Sequence, residues 1–256
     1  MLLPLTPDLT GAFAAACAHE RVFGSKAMTA LRAYGLEDPD VQFFLCLQED
    51  RPTAALYLSH GVLVISAEAG AETDSVAELI RREGVTETDT NWDQCAALQK
   101  RLGGVTDSSY YMVYRGGPVE GDFPGMVPGD LPAVFDVLQR SHEYYRTHLD
   151  FQSWSADLTR KLDLGLVKLF QMEQNGRVVG TGSIASQDDE CGVVAAVAVV
   201  PELRHQGLGA AISRFLTRQI LELGKTPRLI SGYDGVAELY KQVGYETCGR
   251  WGELYL

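Results

Sequence analysis

The sequence predicts an α/β fold laid out as two halves of related pattern. Three observations carry that expectation. From residue 129 onward, amphipathic helical stretches alternate with short apolar runs of strand length. One run, Val193-Val194-Ala195-Ala196-Val197-Ala198-Val199-Val200, stops at Pro201 and leads into a glycine-bearing loop and a helix. The first half carries a weaker version of the same order. At 256 residues and 46% hydrophobic content, the chain can form one large domain or two small ones.

The second half is the clearer. Asp130 to Arg140 reads as a helix, with Leu131, Val134, Phe135 and Leu138 at helical spacing and Pro132 near its start. Ser153 to Leu162 is a second helix, capped by Ser153 or Ser155. Val167 to Glu173 and Val178 to Ala185 are strands joined through Asn175-Gly176, a strong hairpin signal. Gly192 to Val200 is the strand before the loop. Gln206 to Leu223 is a helix whose apolar stripe is Leu208, Ile212, Phe215, Leu216, Ile220 and Leu223, with Gly224 as its cap. Arg228 to Ser231 is a strand, Val236 to Gln242 a short helix, and Tyr245 to Leu256 one or two strands.

The loop Arg204-His205-Gln206-Gly207-Leu208-Gly209-Ala210 has the makings of an anion cradle. Its glycines let backbone approach a phosphate, and the new helix aims free N–H groups and its positive end at it. It is not a Walker A loop, because no Lys and Ser/Thr follow Gly209. A dinucleotide fingerprint would need a third glycine where Ile212 stands.

Arg204, Gly207 and Gly209, in the spacing Arg/Gln-x-x-Gly-x-Gly after a strand and a Pro-containing turn, resemble the acetyl-CoA motif of the GNAT N-acetyltransferases. The order of elements from Gly117 to Leu256 is also the GNAT order. The resemblance implies a mixed central sheet flanked by helices and an acetyl-CoA-dependent N-acetyltransferase acting on a primary amine. It implies that Val197, Ala198 and Val199 bind the pantetheine arm by backbone. The pyrophosphate would then rest on Arg204, His205, Gln206, Gly207, Leu208, Gly209 and Ala210. A backbone N–H of the same strand would polarise the thioester carbonyl.

Leu239-Tyr240-Lys241-Gln242-Val243-Gly244-Tyr245 resembles the family's second CoA segment, in which the first tyrosine often protonates the leaving thiolate. Tyr240 is thus the candidate acid, and Tyr245 reads as core. Many members carry an Asn seven residues earlier, where this chain has Tyr233 beside Asp234. The motif strand holds no carboxylate, so Glu190, at its start, is the candidate base, with water channelled from bulk or direct binding of the free amine as the alternatives. His142, Glu143 and Tyr145 follow the first helix, where family members often line the acceptor site.

Gly116-Gly117-Pro118 opens a Gly/Pro-rich stretch that reads as a linker. The expected organisation is a degenerate GNAT-like domain at 1–116, a linker at 117–128 and the acetyltransferase domain at 129–256. In the first half, Val41 to Leu47, Thr53 to Leu58, Val62 to Ser66 and Tyr110 to Tyr114 read as strands. Ser75 to Arg82 and Trp92 to Leu102 read as helices, and the apolar residues of Met1 to Glu20 as a first helix. The loop equivalent is Glu68-Ala69-Gly70-Ala71-Glu72, with one glycine, no Arg and two carboxylates that would repel a pyrophosphate. CoA binding is not expected there.

Composition excludes several classes. A net charge of −12 argues against nonspecific nucleic-acid binding and weakly favours a cationic acceptor. No apolar run reaches the length of a membrane span, and the start lacks the basic region of a signal peptide. A soluble cytoplasmic protein is the expectation. Cys17, Cys46, Cys95, Cys191 and Cys248 are scattered, and His142 with His148 lacks ligand spacing, so no metal is expected. Two other readings stay open: a non-catalytic CoA-binding or regulatory module, and a nucleotide-binding protein using the same loop. The acceptor, a small-molecule or peptide amine, and the oligomeric state are not legible in the sequence.

Overall fold

The structure, a computed structural model, describes all 256 residues except His148 and Tyr233, with Asp234 described by its backbone. The chain divides into two compact units. The first is Met1–Tyr111, Ile230–Gly232 and Cys248–Leu256; the second is Met112–Leu229 and Tyr233–Thr247. The elements up to the crossover are β1 (Leu2–Pro4), α1 (Thr10–Cys17), α2 (Arg21–Tyr34), β2 (Val41–Gln48), β3 (Arg51–Ser59), β4 (Val62–Ala67), α3 (Asp74–Glu83), β5 (Glu87–Asn91), α4 (Trp92–Leu102) and β6 (Val105–Tyr114). Then follow β7 (Met126–Pro128), α5 (Leu131–Ser141), α6 (Glu143–Thr147), α7 (Phe151–Asp163), β8 (Lys168–Gln174), β9 (Arg177–Gln187), β10 (Cys191–Val199), α8 (Leu208–Glu222), β11 (Thr226–Ile230), α9 (Asp234–Val243) and β12 (Tyr245–Tyr255).

The first unit is a mixed sheet in the order β1-β2-β3-β4-β5-β12. One face carries α1 and α2 over Val41, Phe43, Leu45 and Ala55. The other carries α3 and α4 over Phe44, Leu56, Leu63 and Ile65. The faces alternate along each strand, as a pleated sheet covered on both sides requires. The stretch Met1 to Glu20 departs from the single helix expected of it. Leu2–Pro4 pairs with Phe44–Cys46 as an edge strand, and the helix begins only at Thr10. Helix α2 and strand β5 were not foreseen. Strand β5 reads Glu-Thr-Asp-Thr-Asn and carries no hydrophobic signal, yet Thr88 and Thr90 are fully buried. The last strand differs most from the expected boundary at 129–256: Trp251–Tyr255 pair with Asn91–Glu87 of β5. Backbone hydrogen bonding sets that partner, and side-chain periodicity carries no record of it.

The second unit has the sheet order β11-β10-β9-β8-β7. Strands β8 and β9 form the expected hairpin, with Asn175 and Gly176 both at positive φ (51° and 71°). Helix α8 lies directly on β9 and β10. A Cβ at Gly180 would come within 2.7 Å of Ile212, and one at Gly182 within 2.6 Å of Leu216. These strand glycines let the helix descend onto the sheet, so its stripe at Ile212, Leu216 and Ile220 is fully buried. The expected cap of α7 is corrected: Asp150 accepts from the Ser153 N–H at 3.0 Å, so Ser153 is the capped residue rather than the cap.

The segment 117–128, expected as a linker, is packed. Met126–Pro128 pair with Phe170–Met172. The Arg218 guanidinium sits 4.6 Å over the Phe123 ring and donates to the Gly121 carbonyl at 2.9 Å. Phe123 also meets Phe215 edge-on at 5.7 Å. Its Gly/Pro composition records turns rather than freedom.

Candidate functional site

Strand β10 changes character halfway along. It runs parallel to β11 from Cys191↔Thr226 to Val194↔Leu229, and among the described residues the pairing ends there, while β10 continues to Val199. On its other edge the register with β9 jumps from Ala195↔Ser183 to Ala198↔Thr181. Ala196 and Val197 thus share one partner position, a β-bulge. Ala196 holds a left-handed backbone, φ 52°, which costs an alanine about 1 kcal/mol. Cys191–Val194 are buried, whereas Ala195–Ala198 are half-exposed. Splaying from β11 and bulging against β9 free backbone groups of this stretch for a ligand. Val197, Ala198 and Val199, which the resemblance implies for the pantetheine arm, lie in or beside it, with the Val199 carbonyl already accepting from the Ser141 hydroxyl at 3.1 Å and from Arg204.

The strand ends at a short 3-10 turn, Pro201–Leu203, and the loop that follows bends through two left-handed residues, His205 (φ 62°) and Gly207 (φ 82°). Gly207 is the N-cap of α8, and among the described residues no side chain caps that end. The first helical bond runs from the Ala211 N–H to the Gly207 carbonyl at 3.0 Å. The N–H groups of Gly207, Leu208, Gly209 and Ala210 therefore lack intrahelical acceptors. By contrast, Glu20, Asn91, Asp130 and Asp150 cap α2, α4, α5 and α7 by side chain. The space beside Gly207 is open, and a Cβ at Gly209 would only touch Leu239 at 3.4 Å. Packing does not demand a glycine at 209, whereas a phosphate lying on the amides does. These features fit a pyrophosphate.

Arg204 is placed differently from expectation. Its guanidinium donates to the Ser141 carbonyl at 2.7 Å and to the Val199 carbonyl at 3.3 Å, and its own N–H donates to Pro201. It ties the loop to the end of α5. Positive potential at the cradle then falls to the helix N-terminus and the exposed His205.

Tyr240, on α9, is brought beside the first turn of α8. Burial pushes its hydroxyl up to about 12, and a hydrogen bond with Ser213 opposes that rise. Ser213 itself donates to the Gly209 carbonyl at 2.8 Å. Tyr245 is core: its hydroxyl lies 2.7 Å from that of Thr217, and its ring packs against Tyr240 and Tyr114. Tyr233 lies outside the described residues.

The opposite face of β10 meets α5, and α6 and α7 pack on the cluster that α5 forms there. Ala196 and Ala198 pack against the cluster of Val134, Leu138 and Leu169, together with Tyr145 and Trp154. Tyr145 packs on the same buried cluster as the bulge residues, and burial pushes its phenol up to about 12. His142 closes α5, with its N–H on the Leu138 carbonyl and its ring 6.1 Å from Tyr145. Glu143 is exposed at the start of α6. The aromatic residues Phe135, Phe151 and Trp154 share this wall and had no place in the sequence reading. Glu190 is not brought to the site. It sits in the β9–β10 turn, its N–H on Asp188 at 2.8 Å. About 20 Å of extended strand separates it from the bulge. An acidic residue at a strand start marks the hairpin tip here, not the chemistry.

Residues 131–245 match the family model described as the acetyltransferase (GNAT) family. This segment has the GNAT acetyltransferase fold. Solved GNAT structures resemble the whole chain. A GCN5-related N-acetyltransferase from Sphaerobacter thermophilus is 15% identical, with 99% of this chain and 94% of that chain covered and a TM-score of 0.63. A GNAT-family acetyltransferase from Colwellia psychrerythraea is 14% identical, with 100% and 99% covered and a TM-score of 0.60. A tandem GNAT protein from the clavulanic acid biosynthesis pathway is 13% identical, with 99% and 97% covered and a TM-score of 0.61. No curated protein matches the sequence. The full chain has a tandem GNAT fold.

The first GNAT unit repeats the strand-helix-strand-helix order of the second, with β4 parallel to β5 from Val62↔Glu87 to Val64↔Asp89. Its cradle is filled from within. Glu72 accepts from the N–H groups of Asp74 and Ser75 and from the Ser75 hydroxyl, at the start of α3. Glu68 is held by Arg51. Farther along, Glu87, Asp89 and Glu253 bring one carboxylate oxygen each within 4.8 Å of one another, with Lys26 3.5 Å from Asp89. Burial first, then Asp89 and Glu87, push the Glu253 carboxyl up to about 7; the Tyr255 hydroxyl, 2.9 Å away, and Lys26 oppose the shift. No helix among the described residues is long and apolar enough to cross a membrane.

Proposed function

We propose that this protein is an acetyl-CoA-dependent N-acetyltransferase whose second unit carries the active site and whose acceptor is a primary amine. The observation that carries the reading is the pairing of an uncapped α8 N-terminus with a splayed, bulged β10 in a GNAT domain. Acetyl-CoA supplies an acyl group activated as a thioester. The N–H groups from His205 to Ala210 hold its pyrophosphate, and backbone groups of Val197–Val199 hold its arm. An amide of the bulge donates to the thioester carbonyl as that oxygen gains charge. The ammonium first loses a proton to water, the neutral nitrogen bonds to the acyl carbon, the C–S bond breaks, and the nitrogen's second proton passes through water to restore Tyr240 after it has protonated the sulfur. Tyr240 supplies a hydrogen bond, and the proton, to the departing sulfur. With its hydroxyl near 12, the phenol is fully protonated at neutral pH. Since Glu190 is remote, water carries the amine's proton away. The first unit binds no CoA of its own, because Glu72 occupies its helix end.

Thermal unfolding with acetyl-CoA, CoA, ATP and NAD, repeated for Gly207→Glu, tests the reading. A midpoint rise with the CoA ligands alone, lost in the variant, is the expected result. A rise with ATP or NAD instead would replace it with a nucleotide-binding protein. A rise with acetyl-CoA but no thiol release with any amine would leave a non-catalytic CoA-binding module.

A further inference from the structure

The wall beside the bulge is aromatic: Phe135 is buried, and the rings around it are partly or well exposed. Phe135 lies 5.4 Å from Phe151 and 5.0 Å from Trp154, and Tyr145 meets Tyr144 edge-on at 5.9 Å. Phe151 is 40% exposed and Tyr144 44%. Helix α7 has an apolar stripe at Trp154, Leu158 and Leu162, yet none of its residues is fully buried. A helix that supported only the fold would bury that stripe. Neighbouring exposed rings on one wall offer apolar surface to a ligand.

Position ties the patch to the chemistry. Trp154 and Tyr145 pack in the same cluster as Ala196 and Ala198, the bulge residues on this face of β10. Helix α8 and the phosphate cradle lie on the other face, where Ile212 and Leu216 cover Gly180 and Gly182. In the acetyltransferase reading, a cofactor arm entering from α8 through the splay would bring its acyl group toward this face of β10. The exposed Glu143 and the net charge of −12 favour an ammonium approaching this end.

We propose that the acceptor is a primary amine bearing an aromatic ring, seated against Phe151, Trp154 and Tyr145. This inference rests on the acetyltransferase reading above. Rings already packed at 5.0–6.2 Å, edge-to-face between Phe135 and Phe151 and tilted at Trp154, favour a further ring over an alkyl chain of equal area.

The test is thiol release from acetyl-CoA with 2-phenylethylamine, n-butylamine and 1,4-diaminobutane as acceptors. We expect kcat/KM for phenylethylamine at least about tenfold above that for the other two. Phe151→Ala and Trp154→Ala should bring the phenylethylamine to butylamine ratio toward one, mainly through KM, and Trp154→Phe should restore it. Phe151 is exposed enough for its truncation to leave the fold intact, which guards against a misfolded Trp154 variant. Equal or better use of either aliphatic amine, or no transfer to phenylethylamine by protein that acetyl-CoA stabilises, overturns the proposal and leaves the cofactor reading standing. Absence of any acetyl-CoA stabilisation instead removes the acetyltransferase reading itself.

Discussion

The Glu72 carboxylate accepts the Ser75 N–H at 2.9 Å, at the helix end that in the second unit stays bare around Gly207. Partial burial pushes this carboxyl up, but hydrogen bonds from Ser75 and Asp74 outweigh that and hold it below the usual range. One unit has thus closed its anion site with its own side chain, and the other has kept it open. Glu72→Ala should cost about 1 kcal/mol, as loss of a helix cap does. A drop of several degrees in the melting midpoint at pH 7, shrinking as pH falls and the carboxylate protonates, is the check.

Ala196 should prefer to be glycine for stability. Its φ of 52° is strained for any residue with a Cβ. Ala196→Gly should stabilise by up to about 1 kcal/mol in denaturant unfolding. It should also lower kcat several-fold, because a looser bulge aims its amide less well. A destabilised variant would mean that neighbouring contacts, not backbone strain, govern this position.

Tyr240→Phe removes a hydroxyl hydrogen-bonded to Ser213. We expect kcat to fall about 10²-fold, with the acetyl-CoA melting shift retained. Unchanged turnover would assign the tyrosine to packing alone.

Glu253 should give the protein a pH dependence of stability. A carboxyl raised to about 7 when folded binds its proton more tightly than in the unfolded chain. Its stabilisation is complete below about pH 4.5 and disappears as pH rises through 7. Glu253→Gln should therefore gain on the wild type by on the order of 2 kcal/mol between pH 5 and pH 8, less whatever water screens. Parallel melting curves for both proteins across that range would count against the buried carboxyl cluster.

The sequence by itself located the main helices and strands of the second unit, though not β7, α6 or the pairing of its last strand. Periodicity gave α5 and α8, Asn175-Gly176 gave the hairpin, and Gly207 and Gly209 marked the bare helix start, since each depends on local geometry. Tertiary structure decided the rest. The pairing of β12 with β5, the bulge at Ala196 and the stop in β10–β11 pairing are relations between strands distant in sequence, and backbone hydrogen bonds set them. Strand β5 was hidden because buried threonines lack a hydrophobic signal. Glu190 looked near the chemistry because adjacency along a strand ignores its length. Arg204 looked like a phosphate ligand until the carbonyl of Ser141 claimed its guanidinium. The aromatic wall was unreadable for a similar reason: Phe135, Phe151 and Trp154 belong to two helices, and only their packing brings the rings together beside the bulge.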